Sequence, residues 1–290
     1  MRLIDLHIHS TASDGSFSPK ELVRLAKEKG LSAIALTDHD TVAGNKEVMI
    51  TGKKLDLEVI SGIELSAYFE KGTLHILGYF VDYEDKNFLR KISILQQARA
   101  ERNPKIIKKL QKLGIPIDYQ EVVDISGGGQ VGRPHIAQVL IKKGIVNNFN
   151  EAFERFLKKG RPAYVEKEAF TDEQCLDILL AVNALPVLAH PYTLHLDEYQ
   201  LKRFVKKLKD KGLAGIEVYH SDHSPAQITS YLEVANTFDL AITGGSDFHG
   251  ENKQGVELGT GYGNLRIPYS ILEKLKQIYY GDKAWKAAIH

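Results

Sequence analysis

The chain has 290 residues, of which 43% are hydrophobic and 26% are charged, and its formal net charge is +1. This size and composition exclude a disordered chain and fit either one large α/β barrel or two ordinary domains. The single cysteine, Cys175, excludes an internal disulfide framework, and no stretch approaches the ~18 uninterrupted apolar residues of a membrane span.

The first predicted element is a strand over residues 3–9 that contains the sequence DLHIH. Its alternation places aliphatic side chains on one face and Asp5, His7 and His9 on the other. Two inward imidazoles need partners, and a divalent metal would provide them. Two solvated histidines at a sheet edge are the alternative. We expect Asp5 to orient an imidazole rather than to bind a metal.

Helix-like and strand-like segments alternate after this strand. Ser18, Pro19 and Glu21 form a helix start signal, and Gly30 ends that helix. Capping boxes of the same kind begin at Thr171 and elsewhere in the second half of the chain. The alternation favours a parallel α/β architecture.

Side chains that commonly bind metals lie in or just after successive predicted strands. Because parallel strands end at one edge of a sheet, we expect these side chains to converge. Their number exceeds one tetrahedral site and suits two or three metals, and the mixed nitrogen and oxygen donors favour Mn²⁺, Zn²⁺ or Fe²⁺. A plain turn residue at Asp14 and a core histidine at His75 are the structural alternatives. The candidate ligands are His7, His9, Asp14, His39, Glu64, His75, His190, Asp247 and His249.

The segment from Arg99 to Arg161 interrupts the alternation with several short helical patterns. It contains thirteen Lys or Arg and six Asp or Glu, so it carries +7 and the remainder carries −6. This asymmetry predicts an anionic partner near the segment, with solvated helix faces as the alternative. We expect a barrel formed by residues 1–98 and 166–290, interrupted by a basic helical insertion over residues 99–165.

Five short motifs resemble those of the PHP superfamily in identity and order: DLHIHS, TDHD, GIELSA, LAHP and GSDFH. The segments RPHIAQVL, GRPAYV and IEVYHSDHS are similar to the branch of metal-dependent phosphoesterases that act on nucleoside 3′,5′-bisphosphates and short RNA 5′ ends. The resemblance covers nearly the whole chain. It implies an α/β fold, a distorted (β/α)7 PHP barrel with a small all-helical insertion domain.

The resemblance also implies how the candidate ligands are shared among metals. Glu64 would bridge two metals, and members of the branch with fewer metals leave the number at two or three. The implied sets are His7, His9, Glu64 and Asp247 for the first metal, Glu64, His75 and His190 for the second, and Asp14, His39 and His249 for the third.

The expected activity is hydrolysis of a nucleotide phosphomonoester, the 3′-phosphate of nucleoside 3′,5′-bisphosphates. A metal-bridging hydroxide held by Glu64 would attack phosphorus, so no protein nucleophile is required. A 5′-3′ exonuclease on short RNA or DNA and a histidinol-phosphate phosphatase are alternative enzymes. A non-catalytic PHP module is a fourth interpretation, which the complete set of candidate ligands disfavours.

Cations outside the predicted metal site are candidates for substrate binding. Arg133 and His135 open a predicted helix whose first N–H groups suit a phosphate. Arg161 stands where the resembling enzymes usually have a lysine. His223 is a candidate general acid or phosphate contact, and Glu217 is a candidate support for a ligand.

The sequence also gives expectations about location and partners. The N-terminus has no signal-peptide pattern, so we expect a cytoplasmic protein that is not attached to a membrane. The expected partner is an anionic nucleotide or a short RNA 5′ end. Nothing in the sequence implies a protein partner.

Overall fold

A computed structural model describes residues 2–166 and 169–281 of the chain. Seven strands form one sheet whose spatial order follows the chain. The strands are β1 (Ile4–Ile8), β2 (Ala33–Leu36), β3 (Glu58–Ala67), β4 (Leu74–Tyr79), β5 (Leu185–Leu188), β6 (Gly215–His220) and β7 (Ala241–Gly245).

Helices cover the sheet and fill the long connection between β4 and β5. A π-helical turn (Phe153–Leu157) and two 3₁₀ turns (Pro191–Leu194 and Gly250–Asn252) add to the α-helices. The α-helices in the described residues are α1 (Pro19–Glu28), α2 (Asn45–Leu55), α3 (Lys86–Lys112), α4 (Tyr119–Ile125), α5 (Arg133–Lys142), α6 (Phe149–Ala152), α7 (Asp172–Leu180), α8 (Glu198–Lys209), α9 (Pro225–Thr237) and α10 (Ser270–Gly281).

The predicted helix starts are confirmed. Ser18 precedes α1, and its backbone N–H donates to the Glu21 carboxylate at 2.8 Å while its hydroxyl accepts from the Glu21 N–H at 3.3 Å. Thr171 and Ser224 begin α7 and α9 with the same reciprocal arrangement. These boxes satisfy backbone donors that the first helical turn leaves free.

The sheet is parallel except at β4, which runs antiparallel to both β3 and β5. The other strand pairs are parallel, as the alternation of strands and helices predicted, and β4 is the exception. Only residues 68–73 separate β3 from β4, and a connection this short can join antiparallel neighbours but cannot cross over. The reversal places His75, near the amino end of β4, at the same edge as the carboxyl ends of the parallel strands.

The barrel closes where the end of β7 meets β1. The backbone N–H of Asp247 donates to the His7 carbonyl at 2.8 Å, and that of His9 donates to the Phe248 carbonyl at 2.9 Å. Gly245 packs directly against the His7 backbone. Together with the sheet order, this closure confirms the predicted seven-unit barrel, and it brings residues 240 positions apart to one edge.

The helical segment between β4 and β5 has its own apolar core. Ile106 and Leu110 of α3 pack there with residues of α4 and α5, such as Val122 and Ile136. The amino-terminal half of α3 packs instead on the barrel core, through side chains such as Phe88. The predicted boundary at residue 99 therefore lies inside one continuous helix, and the division into domains stays a prediction.

The glycine-rich segment over residues 126–132 is anchored to the barrel. A Cβ on Gly129 would lie 1.8 Å from the Thr11 carbonyl oxygen, and the Gln130 N–H donates to the Ala12 carbonyl at 3.2 Å. This contact brings the start of α5 to the loop that follows β1.

None of the helices in the described residues combines the length and the apolar composition of a membrane span.

We expect Gly245→Ala to destabilise the fold by about 3 kcal/mol or more, because the added methyl group would lie 2.2 Å from His7 Cβ and 2.4 Å from His7 N. Denaturant unfolding of both proteins measures the difference. Gly281→Ala is the matched control, since a Cβ there meets no atom within 4 Å. Equal stability of the two variants would contradict the close-packed closure.

Candidate metal centre

The predicted ligands converge at one edge of the barrel. The His7 and His9 Nε2 atoms lie 3.3 Å from the same Glu64 oxygen, and they lie 3.4 and 3.1 Å from an Asp247 oxygen. These four side chains form one group whose donor atoms lie within 4.8 Å of one another. It has the composition that the family resemblance implied for the first metal.

Glu64 extends the site through its second oxygen. Oε1 lies 2.6 Å from His75 Nδ1 and 2.9 Å from His190 Nε2, and the two imidazole nitrogens are 3.3 Å apart. His39 Nδ1 lies 2.9 Å from the other Glu64 oxygen. A carboxylate placed between two sets of imidazoles can bridge two metals.

Asp14 gathers a third set of nitrogen donors. Its oxygens lie 3.3 Å from His249 Nε2, 3.8 Å from His39 Nε2 and 4.0 Å from His9 Nδ1. Asp14 is 5% exposed, so it belongs to the interior of the site and not to a solvated turn. The structure adds His9 to the set of Asp14, His39 and His249 that was implied for the third metal.

Several buried donor and acceptor atoms at this edge have no hydrogen-bond partner in the described residues. The ring nitrogens of His7, His9, His39 and His220 among them approach carboxylate oxygens without hydrogen-bond geometry. Unpaired buried polar atoms are costly, whereas neutral imidazole nitrogens and carboxylate oxygens are the donors that transition metals bind. The residues therefore fit a group of divalent metals. The atoms are His7 Nε2, His9 Nδ1 and Nε2, His39 Nδ1, Glu64 Oε2, His220 Nε2 and His223 Nε2.

Two of the candidate ligands have unusual backbone conformations. His190 has φ 23° and Asp247 has φ 55°, in the region that residues with a Cβ rarely occupy. Such conformations persist only where surrounding contacts impose them, and they concentrate at functional sites. His190 lies two residues after the end of β5, and Asp247 lies two residues after the end of β7. The unusual backbone conformation turns each side chain toward the barrel edge.

Buried carboxylates support the imidazoles from behind. Glu217 lies 2.9 Å from His7 Nδ1 and also accepts the His190 backbone N–H at 2.8 Å, which confirms its expected supporting role. The expectation for Asp5 is wrong. It accepts hydrogen bonds from the Ser246 and Gly259 N–H groups at 2.8 and 2.7 Å, so it holds the loops around β7.

The charges of the site are strongly coupled. Burial works against ionisation of Glu64, but the imidazoles of His39, His75 and His7 hold its pKa well below the usual range. Burial likewise opposes protonation of His9, yet the Asp247 and Glu64 carboxylates raise the pKa of His9 to about 10. Without metals, protons on His7 and His9, whose pKa values are raised, therefore compensate part of the carboxylate charge.

A cavity of about 500 Å³ opens beside these residues. Candidate ligands of the barrel and cations of the helical segment both line it. Arg133 lies among these cations, as predicted, and its guanidinium donates to the Leu157 carbonyl at 3.1 Å. The lining includes Asp14, His39, His75, His249, Arg99, Arg102, Arg133, Lys158 and Lys159.

Three predicted substrate contacts do not line this cavity. Arg161 is half exposed and donates to Glu154 at 3.1 Å. His135 is buried, and its Nδ1 accepts the Gly132 N–H at 2.9 Å. His223 Nδ1 lies 2.8 Å from the Val218 carbonyl oxygen, and burial lowers the pKa of His223 to about 4. A neutral ring held in this way does not support the general-acid role.

Sequence reasoning missed residues whose roles depend on tertiary packing. Asp38, next to the predicted ligand His39, accepts the Ser10 N–H at 2.7 Å and the Ser13 hydroxyl at 2.6 Å, so it shapes the loop that carries Asp14. Lys253 lies 2.9 Å from an Asp247 oxygen. Asp38 lies within the motif TDHD, next to a predicted ligand, so the sequence contained a pattern that could have identified it. Lys253 lies in no such motif.

The PHP domain family matches residues 5–168, which is more than half of the chain. The chain belongs to the PHP domain family. The family and the related phosphoesterases make this protein a metal-dependent hydrolase of phosphate esters, in agreement with the predicted enzyme class.

Several PHP relatives align over most of their length. A 5′-3′ exoribonuclease from Haemophilus influenzae is 34% identical over 84% of this chain and 89% of its own. A 3′,5′-nucleoside bisphosphate phosphatase from Chromobacterium violaceum is 26% identical over 89% and 91% of the two chains. A phosphoribosyl 1,2-cyclic phosphate 1,2-diphosphodiesterase from Eggerthella lenta is 30% identical over 85% and 94%.

A crystal structure also matches the fold. A Bifidobacterium adolescentis protein assigned as a metal-dependent phosphoesterase superposes with a TM-score of 0.86 at 26% identity, and the match covers 97% of this chain and 98% of that chain. The barrel and its long helical connection therefore recur together in this PHP protein.

We expect Glu217→Gln to weaken divalent metal binding by about 10- to 100-fold, because the ligand His7 loses the carboxylate that orients its ring. Metal content after dialysis and titration with Mn²⁺ measure the loss. Glu233→Gln, an exposed change on α9, is the control. Wild-type metal retention in Glu217→Gln would contradict the supporting role.

We expect Mn²⁺ affinity to rise with pH between pH 6 and 8. The pKa of His9, raised to about 10, keeps that ring protonated in the metal-free protein, and a metal must displace the proton. The affinity should rise about tenfold per pH unit for each proton released. Calorimetric titrations in buffers of different ionisation enthalpy count the protons, and pH-independent binding without release would contradict the expectation.

Proposed function

We propose that this PHP protein hydrolyses nucleotide phosphomonoesters and that its preferred substrate is the 3′-phosphate of nucleoside 3′,5′-bisphosphates. The observation that carries the proposal is a single cavity lined by two kinds of side chain. Candidate metal ligands such as His39 and His75 line it, and so do cations such as Arg133. A substrate with two phosphates can place one at the candidate ligands and the other at the cations.

We assign the metals to the ligands implied by the family resemblance, with Glu64 shared between two of them. When bound, divalent metals supply a water of lowered pKa and neutralise the phosphoryl oxygens. The protein supplies position. Glu217 fixes the His7 ring, Lys253 holds Asp247 from outside, and Asp38 holds the loop that carries Asp14.

Arg133 is suited to hold the phosphate that does not react. Its guanidinium stays in place through the Leu157 carbonyl and the face of the Phe153 ring, whose centroid is 5.4 Å away. The remaining N–H groups of a guanidinium can form a two-pronged contact with phosphate oxygens. A distal contact of this kind orients the reacting ester, which lowers the entropic cost of reaching the transition state.

A 5′-3′ exoribonuclease is the second candidate function. A 5′-phosphorylated RNA end and a nucleoside 3′,5′-bisphosphate share a 5′-phosphate and a 3′-phosphate ester, so one cavity could accept either. Lys71, Lys158 and Lys159 line the same cavity, and these cations favour a substrate that continues beyond one nucleotide. The Haemophilus influenzae relative supports this candidate.

We propose Mn²⁺, Zn²⁺ or Fe²⁺ as the metals, because the donors mix imidazole nitrogen and carboxylate oxygen. We also keep the cytoplasm as the proposed location. Cys175, the single cysteine, is buried on α7, and a chain with one cysteine forms no internal disulfide, which is consistent with a reducing compartment.

The test is phosphate release by the Mn²⁺-loaded protein from a panel of esters. We expect adenosine 3′,5′-bisphosphate to give the highest kcat/KM, above adenosine 5′-monophosphate and histidinol phosphate. A 5′-phosphorylated RNA oligomer, followed by the release of nucleotides, measures the second candidate. Phosphoribosyl 1,2-cyclic phosphate tests the activity of the Eggerthella lenta relative.

Asp247→Asn is the control for this panel, because the loss of a candidate ligand should abolish every true activity and leave contaminating phosphatase activity. Turnover of histidinol phosphate alone would refute the nucleotide proposal. A much higher kcat/KM for the RNA oligomer than for the bisphosphate would select the exoribonuclease.

A further inference from the structure

Three arginines of the helical segment lie together in the cavity, and we name Arg99, Arg102 and Arg133 the arginine cluster. Arg99 and Arg102 are three residues apart on α3, so they share one face of that helix. Arg133 is the first residue of α5. All three line the cavity that also contains candidate metal ligands.

The charge of Arg99 is compensated within the protein. Its Nε and Nη2 atoms both lie 2.7 Å from an Asp40 oxygen, and Nη2 donates to the Ser66 hydroxyl at 3.0 Å. Asp40 is fully buried. Arg99 therefore already forms an ion pair within the protein, and its charge does not require an external anion.

Arg102 and Arg133 lack such compensation. Neither forms an ion pair within 4.0 Å with a carboxylate of the described residues. Arg102 is 7% exposed, and its Nε donates to the Val165 carbonyl at 2.8 Å, while the Tyr164 ring centroid lies 5.6 Å from its guanidinium carbon. The two Nη atoms of Arg102 donate to no described residue, so they are free to bind a molecule in the cavity.

Burial of these two charges side by side is costly. Burial and the neighbouring Arg133 and Arg99 charges lower the pKa of Arg102 to about 9. Glu166 also lines the cavity and attracts both guanidinium groups, but its carboxylate accepts from the Tyr164 hydroxyl at 3.1 Å. An uncompensated buried cation is strongly unfavourable, and a bound anion removes that cost.

The cavity lysines are less suited to bind this anion. Lys158 pairs with Glu154 at 2.7 Å, and Lys159 donates to the Glu70 carbonyl at 2.8 Å. Lys71, Lys158 and Lys159 are exposed, so water compensates their charges, whereas Arg102 is buried and Arg133 half-buried, and neither has a carboxylate partner in the described residues. Two guanidinium groups suit a dianionic phosphate better than a single carboxylate, because both can donate to separate oxygens.

We propose that Arg102 and Arg133 together bind the phosphate that is not hydrolysed and that Arg102 is a specificity-determining residue. This inference rests on the proposed function and deepens it, because it adds Arg102 to the substrate contacts. Substrates with a second phosphate gain the contact during turnover, whereas a substrate whose only phosphate is the one hydrolysed does not.

The test compares kcat/KM for adenosine 3′,5′-bisphosphate and adenosine 3′-monophosphate in the Mn²⁺-loaded protein. In Arg102→Gln we expect kcat/KM for the bisphosphate to fall by roughly 10- to 100-fold, with little change for the monophosphate. Arg102→Lys should recover part of the preference, because it keeps the charge and loses the two-pronged geometry.

Two control variants isolate the effect. Arg90→Gln makes the same change at an exposed position on α3 and should leave both values unchanged. Glu166→Gln removes the nearby carboxylate and should strengthen the preference for the bisphosphate. Equal losses on both substrates in Arg102→Gln would assign Arg102 a structural role and overturn the proposal.

A binding measurement separates this proposal from the proposed function. We expect adenosine 5′-monophosphate to raise the thermal unfolding midpoint of the wild-type protein more than adenosine does, and we expect Arg102→Gln to lose most of that difference. If the wild-type protein does not hydrolyse the bisphosphate, the proposed function fails. The change in unfolding midpoint caused by adenosine 5′-monophosphate still tests whether Arg102 binds a phosphate. Equal stabilisation of wild type and Arg102→Gln by adenosine 5′-monophosphate would overturn the proposed role of Arg102.

Discussion

The buried carboxylate of Glu64 is the group on which the rest of the site depends. It is fully buried, and its two oxygens lie within 3.3 Å of ring nitrogens from five histidines. A carboxylate in the protein interior stays ionised only if cations or protonated groups surround it. Since the histidines come from strands or loops spread between β1 and β5, this one charge ties distant parts of the barrel to a common edge.

A second set of buried carboxylates accepts backbone hydrogen bonds at that edge. Asp5, Asp38 and Glu217 are fully buried, and each accepts at least one backbone N–H at 2.7 or 2.8 Å. These contacts fix the loops after β1, β5 and β7. The ligands are thereby held before any metal binds, which reduces the reorganisation that binding requires.

Local patterns were sufficient to predict alternating strands and helices with ligand-type side chains near the strand ends, and the motif resemblance implied the seven-unit barrel. Capping boxes marked helices, and each ligand-type side chain lay in or near a predicted strand. The direction of β4 could not be predicted, since a short apolar run looks the same in parallel and antiparallel strands. Arg102 was missed because only tertiary packing decides which face of α3 meets the cavity, and Arg161 was misplaced because its pairing with Glu154 has no sequence signal.

The basic helical segment and the more acidic remainder of the chain both contribute side chains to one cavity. The barrel contributes the carboxylates and imidazoles, and the basic helical segment contributes Arg102 and Arg133. Helix α3 joins the two parts, because Phe88 packs in the barrel core and Leu110 packs in the core of the helical segment. Arg102 lies on α3 between these two anchors, and Arg133 begins α5, which packs in the same helical core. The packing of α3 on both cores therefore holds Arg102 in position relative to the candidate ligands of the barrel, which suits a substrate whose two phosphates have a fixed spacing.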